Sequence, residues 1–446
     1  MTVRRVAVRA VPAAAVVVAA SCGQPPPTRA VVVRDSGGVR IVENFRPEWS
    51  DRAECRVDSE PLLVLNGFAD VTDVALLDGG AVVVLDGMAH ELRFFDAEGR
   101  LLASVGREGS GPGAFAAPVA VDVYRGDSVV VFDRALGRIS VFSAAGRFAR
   151  GVPVRIAAQR LAFVGALDDG SFVVRAGGFE PHTGTWREPA AFVRIAPDGG
   201  ARDTLAVVPG QEFYTIHFQG RPVYGLRPFG RQALATTIGD GVILNLGDGC
   251  ALVLLAPTGR SVMEAHAPCE RRSLPGGAIE EFERARIAGM RVRSARDFVS
   301  AIYRTDKVPY PEHVPPYDRL STDATGYLWA GRYPFAGDTL RVWSLFRLNG
   351  RLMGTVTTPP GLEVRSIRAG LLAGVARDGE GRPRVELYRV LRPSTAWRTG
   401  VGGSRSATPT LIQLPRGGYY AKEPDEVAGA ERVRRPGGRP AVCGGE

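Results

Sequence analysis

Lysine is almost absent from this chain of 446 residues: 54 of its 56 basic residues are arginine, and the two lysines are Lys307 and Lys422. The arginines are scattered along the whole chain and form no stripe or patch of the kind that binds phosphates. The net charge of +9 therefore does not indicate a nucleic-acid partner, and we expect none.

A long apolar run is also missing. The longest one, residues 10–20, is about half the roughly 20 residues that a membrane-spanning helix needs. It follows Arg4, Arg5 and Arg9, and small residues follow it, which is the pattern of an export signal. The sequence predicts a signal peptide over residues 1–21 and no transmembrane segment.

Sequence motifs of common enzymes are absent as well. The chain has no nucleophile elbow, no phosphate-cradling loop that opens a helix, and no dinucleotide fingerprint. It has no His or Cys pair at the spacing of a zinc site. We therefore expect no metal and no cofactor.

Only five cysteines are present, and one of them stands in a distinctive place. The run Ala19-Ala20-Ser21-Cys22 resembles the bacterial lipobox, although Ala19 stands where leucine is usual. The resemblance implies cleavage before Cys22, lipid attachment to it, and a proline-rich tether over residues 22–34. We expect a cell-envelope protein whose only membrane contact is this lipid. An ordinary secretory signal, which would give a secreted protein, is the alternative.

Two further cysteines are predicted to form a disulfide, which an exported protein can carry. Cys250 and Cys269 lie at equal distances from the turn at Thr258-Gly259-Arg260, so they face each other across a hairpin. Cys55 and Cys443 have no evident partner.

The chain contains a repeated unit of about 45 residues. Two copies, Asp70–Gly106 and Phe115–Gly151, each hold four short apolar runs with tight-turn residues between them. Such a unit predicts a four-stranded antiparallel sheet, and its repetition predicts a β-propeller. Turn glycines recur in later copies, and those between the third and fourth strands are Gly99, Gly146, Gly199, Gly259 and Gly350.

Counting the units predicts an all-β, six-bladed propeller over residues 35–392. A helical and proline-rich insertion over residues 274–316 separates two blades. The sixth blade, from Glu363 to Leu391, has only three strands, and we expect the strand Gly38–Glu43 to complete it and close the ring. Residues 393–446 lack periodicity and are predicted to be a disordered tail.

Four segments resemble a known family. Residues 35–44, the glycine-rich joint Gly106–Phe115, and the segments Gly126–Asp133 and Asp323–Ala330 resemble NHL-type six-bladed propellers. They are more closely similar to the bacterial 6-bladed β-propeller lipoproteins. The resemblance implies the architecture and no particular reaction. The joint itself is interpreted as a sharp passage between blades, with Phe115 packed between them.

Propeller topology places the long connections on one face. Arg175–Pro189, Pro209–Gln232 and Ser273–Tyr317 all belong to that face, which is therefore the predicted binding face. Its candidate contacts are aromatic, arginine and other polar side chains with large area or hydrogen-bonding capacity. They are His90, Glu91, Arg134, Arg138, His182, Trp186, Tyr214, His217, Tyr310, His313, Tyr317, Arg332 and Tyr333.

An aspartate recurs after the second strand of four blades, at Asp86, Asp133, Asp248 and Asp378. The preferred interpretation is structural, because such a residue accepts backbone N–H groups of the following turn. Carboxylates that converge from several blades could instead bind calcium.

These observations predict a binding module for an unidentified protein or small molecule. The alternative is a metal-assisted lactonase, lyase or hydrolase with its site at the central channel, and only that alternative involves calcium.

The lipid anchor gives the first testable prediction. In cells that are fed radioactive fatty acid, the wild-type protein should become labelled. The Cys22→Ala variant should stay unlabelled, because the Cys22 thiol is the predicted acceptor. The Cys443→Ala variant serves as the matched control and should keep the label. Equal labelling of Cys22→Ala and wild type would contradict the anchor.

Overall fold

Six sheets, antiparallel except for one parallel pair of strands, make up most of the protein. The computed structural model describes residues 29–49, 55–124, 127–200, 202–305, 307–335, 337–391, 410–413 and 419–422. Strands dominate these residues, which also contain two α-helices. Neither of the two described helices has the length and apolar character that crossing a membrane requires.

Four short strands precede the repeat and are followed by the first two sheets, here called blades 1 and 2. The early strands are β1 (Val31–Ser36), β2 (Val39–Asn44), β3 (Arg56–Val57) and β4 (Leu63–Leu65). Blade 1 contains β5 (Val71–Leu76), β6 (Val82–Asp86), β7 (Glu91–Phe95) and β8 (Leu101–Val105). Blade 2 contains β9 (Pro118–Tyr124), β10 (Ser128–Asp133), β11 (Arg138–Phe142) and β12 (Phe148–Pro153).

Blades 3 and 4 carry additions to the four-stranded plan. Blade 3 contains β13 (Arg160–Ala166), β14 (Phe172–Gly177), β15 (Gly184–Ile195), β16 (Arg202–Phe218) and β17 (Arg221–Leu226). Blade 4 contains β18 (Leu234–Ile238), β19 (Gly241–Asn245), β20 (Leu252–Leu255) and β21 (Ser261–His266). The helices α1 (Ala278–Ala288) and α2 (Arg293–Tyr303) follow it, which confirms the helical insertion.

Blades 5 and 6 complete the ring. Blade 5 contains β22 (Tyr317–Thr322), β23 (Tyr327–Arg332), β24 (Arg341–Arg347) and β25 (Leu352–Thr358). Blade 6 contains β26 (Glu363–Arg368), β27 (Leu371–Arg377) and β28 (Pro383–Leu391).

A separate unit spans residues 394–446. In it β29 (Thr410–Gln413) pairs with β30 (Tyr419–Lys422). The other residues of this predicted disordered tail lie outside those that the structure describes.

The apolar core lies between the blades. Val83 and Phe94 of blade 1 pack with Val131 of blade 2, and Phe115 of the joint is fully buried among them as predicted. Comparable clusters join each further pair of neighbours up to blades 5 and 6. A sixth cluster, which includes Val385 of blade 6, returns to blade 1. Six seams in a closed circle define a six-bladed β-propeller.

Glycine fixes the turn between the third and fourth strands. The φ angles at this turn in blades 1 to 5 lie between 76° and 87°, a range that side chains with a Cβ rarely adopt. The five residues are those predicted from the sequence: Gly99, Gly146, Gly199, Gly259 and Gly350.

Polar side chains link the first strands of neighbouring blades inside the ring. Asp73 accepts the Val121 N–H group of blade 2 at 2.9 Å. Asp122 accepts the Ala166 N–H group of blade 3 at 2.9 Å. Two further links of this kind occur later in the ring, from Thr322 Oγ1 to the Thr237 carbonyl and from the Leu76 N–H to Ser366 Oγ. Each link uses a backbone group that the blade's own sheet leaves unpaired.

An N-terminal strand closes the ring, but the predicted strand was wrong. β4 pairs with β28, with Leu65 opposite Val385. The segment expected there, Gly38–Glu43, instead forms the turn and strand β2 that lie parallel to β21 on blade 4. The reason is the upstream valine run, which forms β1 and pairs with β2 across the turn Gly37-Gly38. The tether predicted for residues 22–34 therefore overlaps a strand.

The residues before blade 1 run along the outer edges of three blades, and we call residues 29–49 and 55–65 the belt. Asn44 is buried and ties the belt to two blades, because its Nδ2 donates to the carbonyls of His266 and Gly350. The Trp49 N–H donates to the Met353 carbonyl of blade 5 at 2.8 Å. β3 and β4 then join blade 6. Elsewhere on blade 4, Cys250 and Cys269 form a disulfide with Cα atoms 5.4 Å apart.

Stability should depend on the protonation of Asp122. Burial raises the pKa of this carboxyl from 3.8 to about 6, against the opposing hydrogen bonds from Ala166 and Val123, and the charge of Asp73 raises it further. Because the folded pKa lies above the unfolded one, Asp122 favours folding below about pH 3.8, and this contribution is lost as the pH rises through about 6. The free energy of unfolding should therefore fall by about 2 kcal/mol between pH 3.8 and 6. This is less than the full pKa shift corresponds to, because part of the Asp122 residue is exposed to solvent.

The free energy of unfolding, measured by urea titration at several pH values between 4 and 7, tests this prediction. The free energy of unfolding of Asp122→Asn should fall less steeply with pH than that of wild type over that range, because the amide of asparagine does not titrate. Asp203→Asn, which removes an exposed carboxylate on β16, should run parallel to wild type. Parallel curves for Asp122→Asn and wild type would show that the prediction is wrong.

Candidate functional site

Two faces of the ring differ in their connections. One face, the turn face, carries the tight turns between strands 1 and 2 and between strands 3 and 4. The other, the loop face, carries the connections between strands 2 and 3 and the passages between blades. The helices and the far ends of β15 and β16 extend from the loop face.

Two of the loops predicted on this face are mostly strand. Arg175–Pro189 and Pro209–Gln232 contribute to β15, β16 and β17, which continue the sheet of blade 3 beyond the ring. Trp186 and Phe213 lie opposite each other in this extension and their rings stack with centroids 4.8 Å apart. Such a cross-strand aromatic pair stabilises a sheet and explains why the segment is ordered as strand.

A cleft of about 180 Å³ opens on the loop face of blade 5. Its walls come from the passage between blades 4 and 5, from the loop that joins β23 to β24, and from the first residues of β24. The lining residues are Arg272, Arg332, Tyr333, Pro334, Asp338, Leu340, Arg341 and Val342.

Two of the three arginines in the cleft are fixed by partners. Arg272 donates to the Tyr333 carbonyl at 2.7 Å, lies 3.4 Å from Asp338, and stacks on Phe335 at 4.6 Å. Arg341 pairs with Asp318 and stacks on the Trp343 ring at 4.9 Å. Both guanidinium groups are therefore neutralised and held in place.

Arg332 differs from these two arginines. It is half-buried, and its side chain makes no hydrogen bond and no ion pair with any residue that the structure describes. It is the last residue of β23, opposite Tyr317. The corresponding strand ends carry Asp86 in blade 1, Asp133 in blade 2 and Asn245 in blade 4. Blade 5 thus places a positive charge where blades 1, 2 and 4 have an acceptor.

Two tyrosines beside Arg332 remain protonated at neutral pH. Burial raises the pKa of Tyr317 to about 12, although its hydrogen bond with Ser344 and the charge of Arg332 oppose the shift. Burial likewise raises the pKa of Tyr333 to about 12, and the charge of Asp318 adds to it. A neutral phenol can donate a hydrogen bond to an anion.

Of the thirteen predicted contacts, Arg332 and Tyr333 line this cleft. Tyr317 is 3% exposed in the core between blades 4 and 5 and lies opposite Arg332 in the sheet. His313 precedes Val314, whose N–H donates to the Arg272 carbonyl, so the segment borders the cleft. These four predicted residues are brought together.

Three other candidates pack in the extension. Trp186 is 9% exposed in the aromatic pair, and Tyr214 packs against Ile302 of α2. Tyr310 donates to Glu283 at 2.5 Å; burial raises the pKa of this phenol, and the hydrogen bond to Glu283 adds to the shift. These aromatic rings hold the extension and the helices together.

The two histidines of the extension, His182 and His217, are exposed. His182 lies edge-on to Trp186 at 5.6 Å. Neither lines the cleft, so their role in binding remains a prediction.

The four candidates on blades 1 and 2 lie outside the cleft. Arg138 donates to the carbonyls of the joint, and Glu91 accepts hydrogen bonds from Arg93 and Ser104. His90 occupies a turn with a φ of 55°, and Arg134 is exposed.

The structural interpretation of the recurring aspartates holds in blades 1 and 2. Asp86 accepts the N–H groups of Ala69, Asp70 and Ala89. Asp133 accepts those of Ala116, Ala117 and Leu136.

The structural interpretation also holds for Asp378 of blade 6, but not for Asp248 of blade 4. Asp378 accepts two N–H groups in its own turn. Asp248 is not equivalent to the others, because Asn245 takes that position and Asp248 pairs with Arg187 and Arg231. In the described part of the chain, no three His, Cys, Asp or Glu side chains are grouped to hold a metal.

Sequence reasoning missed three charged residues of the cleft, Arg272, Asp338 and Arg341. They belong to connections that differ from blade to blade, so no repeat marks them. All three lie outside the long connections that the sequence predicted for this face, so the sequence carried no signal for them.

No family model and no curated protein sequence matches the chain. Solved structures that are similar to it include the following three. A member of the DUF4221 family from Bacteroides vulgatus has 11% identity and a TM-score of 0.40, over 76% of this chain and 99% of that one. Virginiamycin B lyase from Staphylococcus aureus has 12% identity and a TM-score of 0.37, over 75% and 99%. Regucalcin, a calcium-binding protein from Agrobacterium tumefaciens, has 12% identity and a TM-score of 0.35, over 75% and 93%. Scores at this level carry no inference about function.

Arg138 should hold the glycine-rich joint in place. It donates to the carbonyls of Ser110, Gly111 and Ala114 at 3.0, 3.1 and 2.7 Å. Arg138→Met should therefore speed hydrogen exchange of residues 107–115 and lower the unfolding free energy by about 2 kcal/mol. Arg134→Met, on the same blade but exposed, is the control and should change neither. Equal exchange rates in the two variants would contradict this role.

Proposed function

We propose that the protein is a binding module that captures an anionic group, of the carboxylate type, in the cleft on the loop face of blade 5. The observation that carries the proposal is Arg332, a half-buried arginine of the cleft with no hydrogen-bond or ion-pair partner among the described residues. A guanidinium group in such a place offers parallel N–H donors to a planar anion.

The charges around Arg332 support an anionic ligand. Arg272 and Arg341 are already paired with Asp338 and Asp318, so Arg332 leaves the cleft with an excess positive charge. The paired arginines hold the walls rigid, and a preformed site loses less entropy on binding. The neutral Tyr333 phenol adds a hydrogen-bond donor.

The size of the cleft supports recognition of one end of a ligand. About 180 Å³ is below the usual range for a whole drug-sized molecule. A carboxylate at the end of a chain, or on an exposed side chain of a partner protein, fits a cleft of this size. The remainder of such a ligand would lie on the loop face.

We further propose that the protein is held at the cell envelope by lipid on Cys22, as a six-bladed propeller lipoprotein. The support lies in the sequence, in the basic start, the apolar run and the residues before Cys22. Residues 1–28 lie outside those that the structure describes.

Benzoate is a suitable probe because it combines a carboxylate with a ring that can pack against Tyr333. Isothermal titration calorimetry should detect its binding to wild type, and Arg332→Met should weaken it at least tenfold, since a charge-assisted pair contributes about 1.5–3 kcal/mol. Arg271→Met, which removes an exposed arginine next to Arg272 and outside the cleft, is the matched control.

The melting temperature of each variant should be recorded with the titration, so that lost binding is separated from lost folding. Arg271→Met should bind benzoate as wild type does. The proposal fails if benzoate does not bind wild type, or if both variants bind it equally well.

A further inference from the structure

A second cleft, of about 410 Å³, opens between blades 5 and 6 where the belt joins the ring, and we call it the seam cleft. Its walls come from the belt, from the passage between the two blades, and from β27 and β28. It shares no residue with the cleft of blade 5.

A buried carboxylate lies at the inner end of the seam cleft. Glu386 is 4% exposed and is held by two neighbours on its own strand. Arg384 contacts one oxygen at 2.6 Å, and the Tyr388 hydroxyl donates to the other at 2.7 Å. Burial raises the pKa of Tyr388, and the carboxylates of Glu386 and Glu60 contribute, so the phenol stays protonated as a donor.

The charges of the seam cleft are balanced and adjoining. Two arginines, Arg377 and Arg384, share the cleft with two carboxylates, Glu60 and Glu386. The central pair, Arg384 and Glu386, is in direct contact. A site that presents opposite charges side by side is complementary to a ligand whose own opposite charges are adjacent.

Hydrogen-bonding capacity in the cleft is not used up. Arg384 makes one ion pair among the described residues, with Glu386, and 37% of its side chain is exposed. Glu60 makes no hydrogen bond or ion pair within the described ranges. Arg377 donates only to the Gly381 carbonyl among the residues with a described position.

We propose that the seam cleft binds the zwitterion of a free α-amino acid. The ammonium group of the ligand lies against Glu60, and its carboxylate lies against Arg377 and the exposed part of Arg384, while Glu386 holds Arg384 from the buried side. An uncharged molecule makes no ion pair with the acidic or the basic side chains of the cleft. A ligand with a single charge is attracted by the side chains of one sign and repelled by those of the other.

The remaining lining residues define the side chain of the ligand. Pro61, Val64, Pro359, Pro360 and Ala376 give the cleft an apolar lining beside the charged groups. An aliphatic side chain buries apolar surface there. The volume of about 410 Å³ lies within the range of small-molecule sites and accommodates such an amino acid.

Three matched probes test the proposal: L-leucine, 3-methylbutylamine, which is leucine without its carboxylate, and 4-methylpentanoate, which is leucine without its ammonium group. Calorimetry on the full chain should give leucine an affinity at least tenfold above that of either fragment. The proposal is overturned if leucine does not bind at millimolar concentration, or if one fragment binds as tightly.

Variants of exposed residues test the site without disturbing the buried pair. Glu60→Gln and Arg377→Met should each weaken leucine binding about tenfold, because each removes one charge from the lining of the cleft. Glu312→Gln, whose side chain is 86% exposed outside the cleft, should bind leucine as wild type does. Unchanged affinity in both cleft variants would exclude this site.

Hydrogen exchange locates the ligand. Leucine should slow exchange in residues 59–65 and 383–391, which form the belt and β28 at the seam, and leave residues 332–342 unchanged. Protection confined to residues 332–342 would assign leucine to the cleft of blade 5 and overturn the proposal.

Discussion

Every blade depends on the apolar core that it shares with the next blade. A single sheet of this kind has two faces to cover, and each face is covered only by a neighbour, as Phe115 and Val131 show between blades 1 and 2. The ring must therefore be closed before any blade is fully buried. This requirement explains the hydrogen bonds that Asp73 and Asp122 accept from N–H groups of adjacent first strands. It also explains why the chain uses residues far from blade 6 in sequence to complete it.

Local signals were sufficient to predict the repeated parts of this fold. A positive φ is available cheaply only to glycine, so turns such as those at Gly99 and Gly350 leave a mark in the sequence. The turn at Gly37-Gly38 is also visible in the sequence. The strand after it was nevertheless predicted on blade 6, whereas it lies on blade 4. Closure depends on a strand of only three residues, Leu63–Leu65, whose pairing is decided by the edge that blade 6 leaves open. No local pattern encodes that choice.

The candidate sites appear where blades depart from the repeat. Asp86 and Asp133 satisfy backbone groups at the ends of their second strands, and the same position in blade 5 holds Arg332. Comparison of the copies could have revealed this substitution, and also the equivalent Asp73 and Asp122 of the first strands. The partners that shape the cleft, Arg272 and Asp338, lie in connections of unequal length, so only folding brings them together.

The belt has a mechanical consequence. The chain before Val31 leads directly into β1, whose first residue pairs with the last residue of β2. A force applied at the N-terminus would open that hairpin one residue pair at a time, starting from the Val31–Asn44 end, before it reached blade 4. β2 would resist next. Its parallel pairing with β21 would be sheared along the strand direction, so its hydrogen bonds would carry the force together and not one pair at a time. The strand that closes the ring, β4, lies behind both of these and behind the Asn44 and Trp49 attachments. A propeller tethered at this end would therefore lengthen under tension while its ring stayed shut.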